Sequence, residues 1–226
     1  MIDRAAGVSG FQLLRQYLDK EPTLLASEIK RVMHAGGVVW RIPPGFDGVD
    51  VAKARWSNLD FLGRGKARSV WEEHWSPDQG SFTWDAIGKV QIGQVGWEWL
   101  LVTAFAHPGE LTQSPAAPDG AAGERILFTI EEAKQRFQVA PGSDWSYHDL
   151  HLAARLSALN FLRQHGLCVR MLFIYFYDEK ARQDTSLPAP KVWQPVIAAT
   201  ERRLGLSGTS VLERRIYRMF LPVLGV

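Results

Sequence analysis

Asp85 follows Trp84 at the head of a β-like segment, and a nearly continuous apolar segment, 97–107, follows after a turn containing Gly93 and Gly96. Alternate residues of a strand share a face. Leu101, Thr103, Phe105 and His107 therefore point one way. Val102, Ala104 and Ala106 point the other, small enough for close helix packing. A hairpin of the two segments brings Asp85 to the face carrying Thr103 and Phe105. Metal-assisted hydrolysis of a phosphodiester needs carboxylates there to hold Mg²⁺, and a cation for the developing charge. Thr103 offers only a neutral hydroxyl and Phe105 offers nothing polar. Asp85 also has a bland reading, as a residue that satisfies a turn or cap. His107, at a strand end, reads as a hydrogen-bonded structural histidine.

Other residues of chemical interest are sparser. His148 and His151 stand at i, i+3 with Asp149 between them. No third ligand follows at a recognisable spacing, so a solvated helix face is expected. The run Gly63-Arg64-Gly65-Lys66 is too short for a phosphate loop. Cys168 is the only cysteine, which excludes an internal disulfide and a paired-cysteine metal site, and its apolar setting predicts a small buried core residue. Basic residues cluster at Arg64, Lys66 and Arg68, at Arg202 and Arg203, and at Arg214, Arg215 and Arg218. They suit phosphate contacts, but acidic residues are interspersed, so a solvated surface is the favoured reading. A net charge of +2 permits nucleic acid without demanding it.

These groups need a scaffold. With 226 residues, 46% hydrophobic and 22% charged, the chain can bury a sizeable core in one domain spanning 1–226. Most of the nine tryptophans are expected in that core. Amphipathic patterns predict helices over 10–19 and 22–34, with Pro22 in a first turn and Gly36-Gly37 as the stop. A short strand, 38–42, ends at Pro43-Pro44. A helix is expected from about Lys66 to 75, then a turn at 76–80 and strands over 81–92 and 97–107. Residues 113–123, rich in Pro, Ala and Gly, read as a mobile loop. Thr129 begins a capping box for a helix to about Phe137. Ser146 and Asp149 mark the start of a helix to His165, Gly166 closes it, and Tyr147, Leu150, Ala154 and Phe161 share a face. A strand over 168–177, a helix over 190–204 and a final strand within 211–223 complete an α/β fold with a central mixed sheet. No signal segment and no apolar run of membrane-spanning length is seen, so a soluble cytoplasmic protein with no membrane partner is expected.

The block Trp84-Asp85-Ala86-Ile87-Gly88, then residues 98–107, then Gly109-Glu110-Leu111 resembles the PD-(D/E)XK nuclease superfamily. It is most similar to a bacterial group with a WDAVG…EWLLVEAKAH-x-GEL core. The resemblance covers about 65–225, leaving 1–60 as an N-terminal helical extension. It implies a restriction-endonuclease-like α/β/α sandwich. It also implies that Asp85 matches the metal-binding Asp, that Thr103 stands at the metal-binding Glu, and that Phe105 stands at the catalytic Lys. Glu72 or Glu73 matches an acidic residue supplied by a first helix. His107, Gly109 and Glu110 match the end of the motif.

With a metal ligand and a cation both replaced, the expectation is a catalytically degenerate binding or regulatory module without a cofactor, its partner DNA, RNA or a protein. The alternatives are an active Mg²⁺-dependent nuclease with a rearranged site, and a protein-interaction module that ignores nucleic acid. In the active reading Glu98, Glu110 or Glu72 takes over the missing roles, with Glu98 disfavoured because an odd separation from Thr103 puts it on the opposite face.

Overall fold

The computed structural model describes residues 8–41, 55–75, 82–94, 96–111, 120–140, 142–143, 145–146, 149–178 and 189–224. Its centre is a five-stranded mixed sheet in the order β1-β4-β5-β6-β7, formed by β1 (Ala35–Arg41), β4 (Ala86–Ile92), β5 (Gly96–Phe105), β6 (Val169–Tyr177) and β7 (Ile216–Pro222). The first three strands are antiparallel, with Ala86 opposite Val102, and β5, β6 and β7 are parallel. Two short strands, β2 (Trp56–Ser57) and β3 (Thr83–Trp84), pair separately.

Strand parity decides the layers. Leu100, Val102, Ala104 and Ala106 of β5 and its extension pack with Leu172, Ile174 and Phe176 of β6 against α1 (Gly10–Lys20) and α2 (Pro22–Met33). Leu101 and Phe105, with Met171, Phe173 and Tyr175, face a second core. That core holds side chains of α3 (Lys66–His74), α4 (Gly120–Phe137), α5 (Leu150–Gln164) and α6 (Pro190–Leu204). A strand buried on both faces needs apolar residues at both parities, which β5 and β6 supply. The result is an α/β sandwich. The N-terminal segment is a full helical layer of it, and it also contributes the edge strand β1.

Several expectations change. The strand expected over 81–92 breaks at Asp85 into β3 and β4. His34, in the left-handed conformation, ends α2, and the expected stop Gly36-Gly37 lies inside β1. Helix α4 starts at Gly120, so residues 120–123 are helical, not loop; adjacent alanines have the highest helix propensity. Thr129 is consequently mid-helix, its hydroxyl donating to Arg125 O at 2.9 Å, and caps nothing. The N-cap of α5 is Asp149, not Ser146, and its carboxylate is turned to Arg203 at 2.9 Å. Cys168 is exposed, because it precedes the first buried residue of β6. The turn at 76–80, residues 113–119, Pro43-Pro44, Tyr147 and His148 lie outside the described residues. Among the described residues no helix is long and apolar enough to cross a membrane.

Candidate functional site

Strand β4 leaves β5 at the pair Ala86 and Val102, whereas β5 runs on to Phe105. Backbone donors on the vacated side of β5 then lack a ladder partner, and a buried orphan N–H is costly. Two carboxylates replace the missing strand. Asp85 donates its own N–H to Val102 O at 2.9 Å and accepts from Ala104 N–H on Oδ2 at 2.8 Å. Glu110, in the tight turn Pro108–Leu111, accepts from Ala106 N–H at 3.1 Å and also takes the N–H of Gly10. Gly10 must be glycine here: a Cβ would lie 2.2 Å from Ala104 O. His107 Nδ1 accepts from Gly109 N–H at 3.0 Å and holds the same turn, in keeping with a structural role.

Cations enclose Asp85. Arg55 Nε lies 3.4 Å from Oδ1, with its guanidinium 4.1 Å over the Phe11 ring. Arg155 reaches across from α5. Its Nε donates to Thr103 Oγ1 at 2.9 Å, and its terminal nitrogens donate to His151 O at 2.6 Å and Thr83 O at 2.7 Å. Its guanidinium stands 5.8 Å from the rings of both Phe82 and Trp84. Burial lowers this guanidinium to about 10, with Asp85 opposing the shift. Burial raises the Asp85 carboxyl, opposed by the Ala104 N–H and both arginines. Burial likewise raises Glu110, and the Asp85 charge adds to it. His151 is not on a solvated face: burial and Arg155 hold it down at about 3.

Phe105 closes the neighbouring space. It is 3% exposed, stacked on Tyr175 at 5.5 Å and tilted against Phe173 at 5.9 Å. The structure thus gathers Asp85, Thr103, Glu110 and His107 at one end of β5, with Phe105 packed in the core beside them. Glu72 is turned to Arg68 on its own helix at 2.7 Å, and Glu73 is exposed. Arg64, Lys66 and Arg68, with Glu72, line an open cleft of about 510 Å³ beside α3. Glu98 sits on the α1 and α2 face of the sheet, paired with Arg170 at 2.8 Å and Arg215 at 2.7 Å. Among the described residues no group of three or more His, Cys, Asp or Glu side chains is placed to hold a metal ion.

Sequence reasoning missed Arg155 and Arg55. A signal for Arg155 existed: it is the single charge within 150–162, a stretch buried almost all round, where an unpaired charge is forbidden. Arg55 carried none.

Comparison of the chain with protein-family models, with curated proteins and with solved structures returned no match.

Proposed function

We propose that this chain is a catalytically degenerate PD-(D/E)XK nuclease-like protein with a restriction-endonuclease-like frame, acting as a binding module for nucleic acid. The observation that carries the reading is the occupancy of the expected reaction chamber by Arg155. The frame residues Trp84, Asp85 and the 98–111 block keep their order. At the expected Glu position, Thr103 is bonded to a guanidinium at 2.9 Å. At the expected Lys position, Phe105 is sealed between aromatic rings. These residues do not fit Mg²⁺. The near oxygens of Asp85 and Glu110 are committed to backbone donors, and a fixed buried cation beside Asp85 opposes a second one. Loss of one charge-stabilising group costs ~10²–10³ in rate, and here two functional groups are replaced.

The purified chain is expected to leave labelled single- and double-stranded DNA and RNA intact with Mg²⁺ or Mn²⁺, while binding one of them with an affinity that falls steeply with salt. Cleavage that disappears in Asp85→Ala overturns the degenerate reading. It would favour an active nuclease with a rearranged site, for which the mutual electrostatic influence of Asp85 and Glu110 is the supporting observation. Absence of any salt-dependent binding leaves a protein-interaction module.

A further inference from the structure

Among the described residues, one half of the sheet face opposite α1 and α2 has no helix over it. Odd-numbered residues of β5 point to this face, and the helices cover Leu101 and Phe105 but not the start of the strand. Trp97 is 47% exposed there, and Val39 in the edge strand is 55% exposed. The Trp97 ring lies across β4 onto β1: a Cβ on Gly37 would stand 3.2 Å from its Cη2. The ring thus reaches over a strand position that carries no side chain. Two residues along, Trp99 has Lys89 Nζ 4.9 Å and Arg41 Cζ 5.5 Å from its ring centroid, with Phe61 edge-on at 4.9 Å. Gln91 fills the row between Trp97 and Gly37. No carboxylate stands on this face in β1, β4 or β5.

The same surface continues into a basic cleft. Phe61 belongs to the turn Asp60–Leu62, and the chain passes from it directly to Gly63-Arg64-Gly65-Lys66. Arg64 and Lys66 are exposed and line the open cleft with Ser69 and Glu72. Arg68 in that cleft is already neutralised by Asp60 at 3.0 Å and Glu72 at 2.7 Å. Aromatic rings flanked by cations, on a strand face that carries no carboxylate, complement a partner with exposed π-faces and a line of negative charge. A duplex hides its base faces. A protein partner can supply an aromatic face, but not a phosphate beside every ring, which is what Trp97 and Trp99 set among Lys89 and Arg41 complement.

We propose that the exposed half-sheet around Trp97, Trp99, Lys89 and Arg41, continued by Arg64 and Lys66, binds single-stranded nucleic acid by base stacking and phosphate contact. The proposal deepens the reading of a non-cleaving nucleic-acid binder and rests on it. It places the contact on the open sheet face, away from the Asp85 end of β5.

Fluorescence anisotropy of the full chain, with a labelled 20-nucleotide oligo-dT, oligo-rU and a matched duplex, tests it. The single strands bind more tightly than the duplex. Trp97→Ala weakens them about 5- to 100-fold, the loss of one stacked base, and Trp97→Phe recovers most of that. Arg64→Glu with Lys66→Glu flattens the salt dependence. Trp97 is half exposed, so an unchanged melting temperature in each variant keeps the comparison valid. Single-strand binding that is indifferent to Trp97→Ala and Lys89→Glu overturns this surface but leaves the binder reading standing. Failure of all three probes to bind the unmodified chain overturns both.

Discussion

Replacing Phe105 by lysine installs the residue type that the proposed nuclease resemblance would place at that position, and the structure predicts that it breaks the fold. The ring is 3% exposed and lies between Tyr175 at 5.5 Å and Phe173 at 5.9 Å. Two costs follow. Removing the ring from a packed core forfeits aromatic contact, in the range of ~3 kcal/mol. Burying the new amine then forces it towards neutrality, and a lysine driven down by about 3 pH units adds ~4 kcal/mol at neutral pH. A total of ~7 kcal/mol rivals the whole stability of an ordinary domain, about 5–15 kcal/mol, and lowers the melting temperature by roughly 15–25 °C. Phe105→Leu, which keeps the core apolar, costs only ~1.5 kcal/mol.

Denaturant melts of the three proteins between pH 6 and 10 separate the two costs. The folded lysine has the lower pKa, so the unfolded chain binds more protons below about pH 10. The deficit of Phe105→Lys relative to the parent therefore shrinks as pH rises towards 10, while the Phe105→Leu deficit stays flat. A Phe105→Lys protein with the parent's melting temperature, or with a pH-independent deficit, refutes the burial of position 105 and the strand parity on which the site rests.

Asp85→Ala is expected to cost about 3–5 kcal/mol, because it strands buried Arg155 and the Ala104 N–H together; Asp85→Asn keeps the acceptor and should lose less, and chemical denaturation giving equal small losses would refute a structural Asp85. His151 is held at about 3 in the fold against about 6.5 when unfolded. Its contribution is full above about pH 6.5 and is lost as pH falls towards 3, by roughly 4 kcal/mol; an acid limb unchanged in His151→Gln would contradict this. Asp85 and Glu110 act in the opposite sense. Burial raises both, so the stability they allow at low pH is lost as pH rises above the ordinary carboxylate range near 4. Gly10→Ala drives a Cβ to 2.2 Å from Ala104 O and should cost ~2–3 kcal/mol or more by lifting α1 from the sheet, measured as a fall in melting temperature.

Much of the fold was written in short-range pattern. The two-sided apolar runs of β5 and β6 announced strands buried on both faces, and parity alone set Thr103 and Phe105 on one face and Glu98 on the other. Helices with clean apolar stripes, such as α1 and α2, were legible too. Failures came where a local signal had a competitor. Thr129 and Ser146 carried capping letters, but Thr129 found its partner within α4, and the start of α5 was set by tertiary contact.

Local chemistry therefore determined what stands on the inward face of β5 beside Asp85, a threonine at 103 and a phenylalanine at 105 in place of a carboxylate and a lysine. Tertiary structure decided what fills the space. An arginine 70 residues downstream enters from α5, and a glutamate from the following turn takes the donor that β4 abandons. A buried charge and an orphan N–H are satisfied by whichever groups the completed fold brings within about 3 Å. The sequence names those groups but does not say which of them will meet. The same holds for Trp97: its exposure follows from where the helices stop, which no residue near it encodes.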